Sequence, residues 1–305
     1  MNDSAPMTTP RPGGISPFNG RTVSRIGFGA MQLPRLHEDR ESAVRLVRRA
    51  IELGVDHIDT AQFYGHGFSN EVLCQALAEG DDVMVVSKVG WDPETEGPLP
   101  MRLAQRPEQL RASVKENLRT LGLEQIPVVN LRRIDVGPQV PIPEGQSVDL
   151  DDQLAEMAAM RDEGLIGGIG LSTVTADVVR QALPLGIACV QNAYSLVDRS
   201  DEDLLNLCVT EGIAWVPYFP LGSAFPGFPK VAEEPDVQSI ADQLGASPAQ
   251  VGLAWLLHHA ANTLLIPGTA SIDHLEANIA TGDVHLDEEM TGRLDQIPVR
   301  TPEQH

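Results

Sequence analysis

Val55-Asp56-His57-Ile58-Asp59-Thr60-Ala61-Gln62-Phe63-Tyr64-Gly65 joins a short apolar run to a polar, aromatic turn. By length and β-branching, Val55 to Asp59 reads as a strand whose last residue is a carboxylate. The same unit recurs on both sides of it. Ile26 to Met31, Val83 to Lys88, Val128 to Arg132 and Ile166 to Ser172 are strand-like, as are Cys189 to Ala193, Ile213 to Phe219 and Thr263 to Gly268. Between them lie amphipathic stretches at Arg40–Leu53, Asn70–Ala78, Pro107–Leu121, Leu150–Glu163, Ala176–Leu183 and Asp201–Glu211. Pro235–Leu244, Pro248–Ala260 and Ile272–Ala280 complete the series.

Punctuation agrees with this division. Ser247-Pro248 supplies a cap and a first-turn proline, and Gly54, Gly122, Gly164 and Gly212 stand where helices end in a left-handed residue. Strand–helix alternation over such a length implies parallel strands and right-handed crossovers. The expected fold is therefore a single (β/α)8 TIM barrel, of the α/β class. A doubly wound open sheet is the alternative, but the nearest approach to its glycine fingerprint, Gly27-Phe28-Gly29, lacks a third glycine. The 305 residues suit one barrel of roughly 250 residues with additions. The expected organisation is a disordered leader over 1–17, with its prolines and glycines, followed by one domain over 18–305.

Composition narrows the function. With 43 acidic and 22 basic residues the formal net charge is −21, a field that repels nucleic acid and anionic membranes. There is no run of about 18 apolar residues to span a bilayer, and the N-terminus has no basic-then-apolar signal pattern. Cys74, Cys189 and Cys208 form no CxxC pair, so neither a zinc site nor a disulfide framework is expected. Buried free thiols in a cytoplasmic protein are the simplest reading.

Barrel active sites lie at the C-terminal rim of the strands. The strand ends here carry Asp59, Lys88, Arg132, Ser172 with Thr173, Gln191 with Asn192, Tyr218 and Gly268, and Tyr64 follows closely on Asp59. A lysine beside a phenol stabilises the phenolate, and a carboxylate beside the lysine keeps it charged and oriented. Such a phenol can protonate a carbonyl oxygen while hydride reaches the carbon. Carbonyl reduction is the expected chemistry. His66 and Trp91 are candidate residues of the substrate mouth, and Phe225 to Phe228 a second candidate wall. His57, two residues before Asp59, should face the same way one layer deeper, as a hydrogen-bonded core histidine. His258-His259 lacks carboxylates at metal spacing, and no metal is expected.

The motifs Asp59-Thr60-Ala-x-x-Tyr64-Gly65, Ser87-Lys88, Gly170-Leu171-Ser172, Val190-Gln191-Asn192 and Ile266-Pro267-Gly268-Thr269 resemble those of the aldo-keto reductase superfamily. The likeness runs from Arg25 to about Asp295 and implies a barrel that uses NADPH without a Rossmann fold. It places Asp59, Tyr64 and Lys88 in an Asp–Tyr–Lys–His tetrad. Leu131-Arg132-Arg133-Ile134-Asp135 puts Arg132 where the family has histidine. Arginine cannot release a proton near neutrality, but it can hold an oxyanion. The resemblance further implies carboxamide contacts from Ser172, Gln191 and Asn192, and a nicotinamide stacked on Tyr218. Met31 joins the cofactor contacts, Leu221 and Gly222 begin the pyrophosphate loop, and Gly268, Thr269, His274 and Asn278 take the adenosine end.

Gly29 to Leu33, Val128 to Arg132 and Phe219-Pro220-Leu221-Gly222 are similar to a bacterial branch that includes pyridoxal reductases. An arginine beside the aldehyde could bind pyridoxal's acidic ring hydroxyl; it could equally hold another hydroxyaldehyde or a carboxylate, or brace the rim against Asp135. The leading expectation is an NADPH-dependent reductase of a small aldehyde, pyridoxal to pyridoxine first. A reductase of a ketone or sugar intermediate in secondary metabolism is a second reading. A non-catalytic, NADPH-binding redox sensor is a third, disfavoured by the retained Asp59, Tyr64 and Lys88. The expected state is a monomer or small homo-oligomer.

Overall fold

The structure, a computed structural model, describes residues 11–97, 99–136, 141–222 and 229–300. Its centre is a parallel sheet whose strands curl into a barrel. In chain order the N-terminal hairpin β1 (Ile15–Phe18) and β2 (Arg21–Ser24) precedes β3 (Phe28–Gly29), α1 (Arg40–Glu52), β4 (His57–Asp59), α2 (Phe68–Ala76) and β5 (Met84–Val89). A second hairpin, β6 (Trp91–Pro93) and β7 (Met101–Leu103), leads to α3 (Pro107–Leu121), β8 (Val128–Arg132), α4 (Leu150–Asp162) and β9 (Ile169–Ser172). Then come α5 (Ala176–Ala182), β10 (Ile187–Gln191), α6 (Glu202–Glu211) and β11 (Ala214–Trp215). The chain ends with α7 (Pro235–Leu244), α8 (Pro248–His259), α9 (Ile272–Ala280) and α10 (Glu288–Asp295).

The seven-stranded sheet runs β11-β10-β9-β8-β5-β4-β3. The segment 263–268 supplies the eighth stave through parallel bridges Trp215–Thr263 on one side and Ile26–Leu265 and Gly29–Gly268 on the other. Gly27 N donates to Leu265 O at 2.8 Å and Leu265 N to Arg25 O at 2.8 Å. Those bonds close the ring, so the fold is the TIM barrel and not the open sheet. Residue 268 has to be glycine for this closure, because a Cβ there would stand 2.8 Å from Gly29 O.

Alternation along the strands sorts the side chains into two cores. Ile58, Val85, Val129, Leu131, Leu171 and Val190 pack outward against the helices. Val86, Val128, Cys189, Ala214, Val216 and Leu264 fill the lumen. The expected helices are present, with α3, α7 and α9 matching residue for residue. Ser247 caps α8 by accepting from Gln250 N at 3.2 Å, and all four expected terminal glycines take positive φ.

The expected leader is corrected in part. Residues 1–10 lie outside the described residues, but residues 15–17 belong to β1, which pairs antiparallel with β2 through Ile15–Ser24 and Phe18–Arg21. The turn is Asn19-Gly20, both at positive φ, the pairing that suits a tight hairpin. Phe18 and Val23 project from it into the lumen cluster and plug the bottom of the barrel. The thiols need a second correction. Cys189 and Cys208 are buried, but Cys74 is exposed. Neither the β6–β7 hairpin nor α10 was expected from the sequence.

Candidate active site

Asp59 and Lys88 stand at the rim on neighbouring strands, 3% and 4% exposed. Lys88 Nζ donates to Asp59 Oδ1 at 2.5 Å, to Tyr64 Oη at 3.0 Å and to the Thr60 carbonyl at 3.1 Å. Each ammonium proton therefore has an acceptor, which is what makes a buried cation tolerable. Burial works to lower the Lys88 pKa, but Asp59, followed by Tyr64, outweighs it and holds the ammonium above the ordinary lysine value. The second carboxylate oxygen of Asp59 accepts from Gln191 Nε2 at 2.9 Å, across the barrel on β10.

Tyr64 reaches this cluster because the chain turns sharply around it. Tyr64 N bonds to Ala61 O at 3.0 Å, and Gly65, His66 and Gly67 all take positive φ before α2 begins. His66 bears a side chain in that conformation, so its backbone is held there against preference. A buried amide network fastens the turn. Thr60 Oγ1 donates to Asn70 Oδ1 at 2.7 Å, and Asn70 Nδ2 lies within 2.8–3.1 Å of Gln62, Asn117 and Thr120. Ser87 Oγ donates to Asn117 Oδ1 at 2.6 Å, tying the network to the strand that carries Lys88. The sequence reading missed these braces. Their signal was faint, an asparagine on each of two helices at inward positions.

Arg132 ends β8, in register with Ser172. Its guanidinium lies over the rings of Phe63 at 5.5 Å and Trp91 at 5.6 Å, as cation–π contacts. Asp135 does not take it: Arg133 does, bonding Asp135 at 2.7 and 3.1 Å. Among the described residues no carboxylate stands within ion-pair distance of Arg132. Gln105 holds the backbone in place, donating to both Gly90 O at 2.7 Å and Arg132 O at 2.9 Å. A Cβ on residue 90 would stand 2.3 Å from Arg132 O, so only glycine lets the β6–β7 hairpin fold close enough to bring Trp91 over the guanidinium. His66 is exposed on the rim, whereas Trp91 is buried. The wall expected at Phe225 to Phe228 lies outside the described residues.

The residues expected to hold a cofactor divide into two groups. Ser172 is buried, its hydroxyl 3.4 Å from that of Thr173. Tyr218 is half-buried; burial raises its phenol pKa, with a hydrogen bond to Thr173 working the other way. Asn192 is otherwise engaged. Its Nδ2 donates to Val174 O and Asp201 Oδ2, both at 2.8 Å, and its Oδ1 accepts from Val174 N at 3.1 Å. It braces the strand end and keeps no donor for a carboxamide.

The outer group is more open. Met31 is 48% exposed, and His274 is exposed on α9. Asn278 is half-buried on the same helix. Thr269 Oγ1 accepts from Ser271 N at 3.0 Å, and Ser271 caps α9. Gly222, next to Leu221, pairs with Lys230 in an antiparallel bridge. The donors of the 268–278 segment are hydroxyls, an imidazole, the Asn278 amide and backbone N–H groups, with no lysine or arginine. They can hold a phosphate without a cationic clamp.

His57 is buried as expected, but neither ring nitrogen has a hydrogen-bond partner among the described residues. Asp56 Oδ1 is 3.7 Å from its Nδ1. The described residues contain no group of three or more His, Cys, Asp or Glu placed to hold a metal ion. They contain no helix long and apolar enough to cross a membrane.

Relatives share this arrangement's frame. Pyridoxine 4-dehydrogenase of Escherichia coli is 40% identical over 288 residues, covering 91% of this chain and 96% of that protein. An uncharacterised oxidoreductase of Schizosaccharomyces pombe is 34% identical, covering 90% of this chain and 86% of its own. Among solved structures, an aldo-keto reductase from Klebsiella pneumoniae in complex with NADPH superposes with a TM-score of 0.78 at 26% identity, covering 97% of this chain and 98% of that one. The sequence model of the Aldo/keto reductase family matches residues 25–298, from the first stave of the barrel to α10. The chain belongs to the aldo/keto reductase family.

Proposed function

We propose that this protein is an NADPH-dependent reductase of a small aldehyde, pyridoxal before others, with Tyr64 as proton donor. The observation that carries the reading is the Lys88 ammonium, bonded at once to Asp59 and to the Tyr64 hydroxyl. When bound, NADPH supplies the hydride that adds to the aldehyde carbon. Tyr64 Oη gives its proton to the aldehyde oxygen, which yields a primary alcohol. Lys88 holds the phenol in place and stabilises the oxygen left behind, while Asp59 orients the lysine. Ser172 and Gln191 are proposed to meet the carboxamide, Tyr218 the nicotinamide face, and Thr269 with the start of α9 the ribose phosphate.

The substrate choice rests on Arg132. Its guanidinium, set against Phe63 and Trp91, is a fixed positive charge at the rim with no carboxylate at ion-pair distance among the described residues. Trp91 Nε1 is buried without an acceptor among the described residues. A flat ring bearing an ionised hydroxyl next to its aldehyde answers both features. The name of the Escherichia coli relative, at 40% identity, supports the same choice. A single domain that takes in the β1–β2 hairpin from Ile15, in the cytoplasm and acting on a small carbonyl substrate, fits the reading.

The test is NADPH oxidation with a panel of pyridoxal, benzaldehyde, hydroxyaldehydes, sugars and ketones. A kcat/KM highest for pyridoxal supports the proposal. A ketone or sugar turned over far better would replace the substrate, and no turnover of any carbonyl would reject the enzyme reading.

A further inference from the structure

Below the Asp59–Lys88 pair the lumen of the barrel is polar where branched aliphatic side chains are the rule. A cavity of ≈ 10 Å³ lies there, lined by His57, Asp59, Asn130, Cys189 and Gln191, with Phe18 of the N-terminal hairpin beneath. That is about the room one water needs, roughly 10–15 Å³. Three of the lining side chains carry buried polar atoms with no partner among the described residues: both ring nitrogens of His57, Asn130 Nδ2 and Gln191 Oε1. Buried orphans of this kind cost free energy unless something satisfies them.

The orientation of Asn130 follows from its neighbours. Cys189 Sγ lies 3.2 Å from Asn130 Oδ1, and burial raises the thiol's pKa, so the sulfur is an S–H donor. Asn130 must turn its oxygen to that donor, which sends its N–H groups elsewhere. Both side chains sit over Gly170, where a Cβ would stand 2.0 Å from Asn130 Oδ1 and 2.7 Å from Cys189 Sγ. His57 is equally fixed: its ring packs on Gly27, where a Cβ would come within 2.3 Å of Nε2, and meets Phe18 edge-on at 6.3 Å.

We propose that this cavity is a site for one buried water, accepting from Asn130 Nδ2 and a His57 N–H and donating to Gln191 Oε1. Those three bonds are the usual complement of an internal water. The water then polarises the Gln191 amide whose Nε2 donates to Asp59 Oδ2 at 2.9 Å. Asn130 and His57 are thus positioning residues, acting through the water and Gln191 on the carboxylate that holds Lys88. The titratable groups packed around that carboxylate are Lys88, Tyr64, Cys189 and His57, with Asp56 beside His57. The consequence for rate rests on Tyr64 as the proton donor, whereas the water site itself does not.

The experiment pairs crystallography with kinetics. A high-resolution crystal structure of the wild-type protein shows one ordered solvent atom bonded to Asn130 Nδ2 and Gln191 Oε1; a dry cavity overturns the proposal whatever the enzyme does. Asn130→Leu removes the donor and fills the space. Its single-turnover rate of NADPH oxidation falls about fivefold, the equivalent of one ordinary hydrogen bond, and its alkaline limb moves to higher pH as Lys88 loses part of its hold on the phenol oxygen. Asn130→Ser, which stays polar and leaves room for a second water, restores most of both. A folded Asn130→Leu protein with wild-type rate and pH profile overturns the positioning role. Should Asn130→Leu fail to fold, His57→Phe, judged by the same profile and with His57→Asn as its rescue, decides instead. If Tyr64→Phe keeps full rate, the donor assignment falls, and the solvent atom still tests the site.

Discussion

At one end of the rim, Lys88 holds three acceptors while 4% exposed. At the other, His274 stands exposed on α9 beside Asp273, in a segment without lysine or arginine. Buried charges are few, fully bonded and strongly coupled, because a low dielectric magnifies every interaction and punishes each missing one. Exposed groups such as His274 act singly and are screened by salt. Chemistry should therefore be sensitive to single atoms at the Asp59–Tyr64–Lys88 end, and cofactor choice should shift only gently at the 268–278 end.

The largest expected effect is Tyr64→Phe. It deletes one hydroxyl and leaves the ring packing on Phe63. Turnover falls by about 10²–10⁴-fold with the fold and NADPH affinity kept. Single-turnover kinetics with fluorescence titration of NADPH check it, and an unchanged hydride step would break the comparison at its stronger end.

Lys88→Met comes next, with a rate loss on the order of 10²-fold. Here pH adds a second test. The folded Lys88 pKa lies above the ordinary 10.5, so its stabilising contribution is fully present below that value and lost as pH rises through the higher folded one. Urea denaturation of wild type and variant should differ most near neutrality and converge at strongly alkaline pH. A gap that stays constant with pH would show that the ammonium's charge is not what stabilises the pair.

Arg132→Met sharpens the comparison inside the proposed substrate pocket. Loss of a charge-assisted bond lowers kcat/KM for pyridoxal by about 10- to 150-fold, ~1.5–3 kcal/mol, with a much smaller loss for benzaldehyde. Equal losses on the two aldehydes would make Arg132 a general oxyanion donor, and none on either would leave it a brace.

The smallest effect belongs to His274→Ala, about two- to fivefold in Kd for NADPH and less for NADH, as befits an exposed contact. Titrations at low and high salt check it. A loss as large as that from Lys88→Met would erase the contrast between the two ends.

Some of this was legible along the chain, for local reasons. Pro107 and Pro235 open α3 and α7 and Gly122 and Gly245 close them, so both were readable to the residue, as was α9 behind its Ser271 cap. Asp59 and Lys88 could be placed at strand ends because strand and turn chemistry differ over a few positions. The β1–β2 hairpin was missed although Asn19-Gly20 announced it, since the prolines and glycines before it outweighed a two-residue signal. Asn192 looked like a ligand because its position matches one; only the folded chain shows its amide spent on Val174 and Asp201.

By itself, then, the sequence determined the alternation, the barrel and the Asp59, Tyr64 and Lys88 trio, because periodicity, capping and motif spacing are properties of neighbours in the chain. Tertiary structure alone decided which arginine takes Asp135 and that Arg132 lies against Phe63 and Trp91. It also decided that Asn70 ties two helices to the Tyr64 turn, and that His57, Asn130 and Gln191 share one cavity beneath Asp59. Those pairings join residues up to 134 positions apart, from His57 to Gln191 (191 − 57). Hydrogen bonds and ion pairs are chosen by distance in space among several chemically equal partners, and nothing along the chain ranks them.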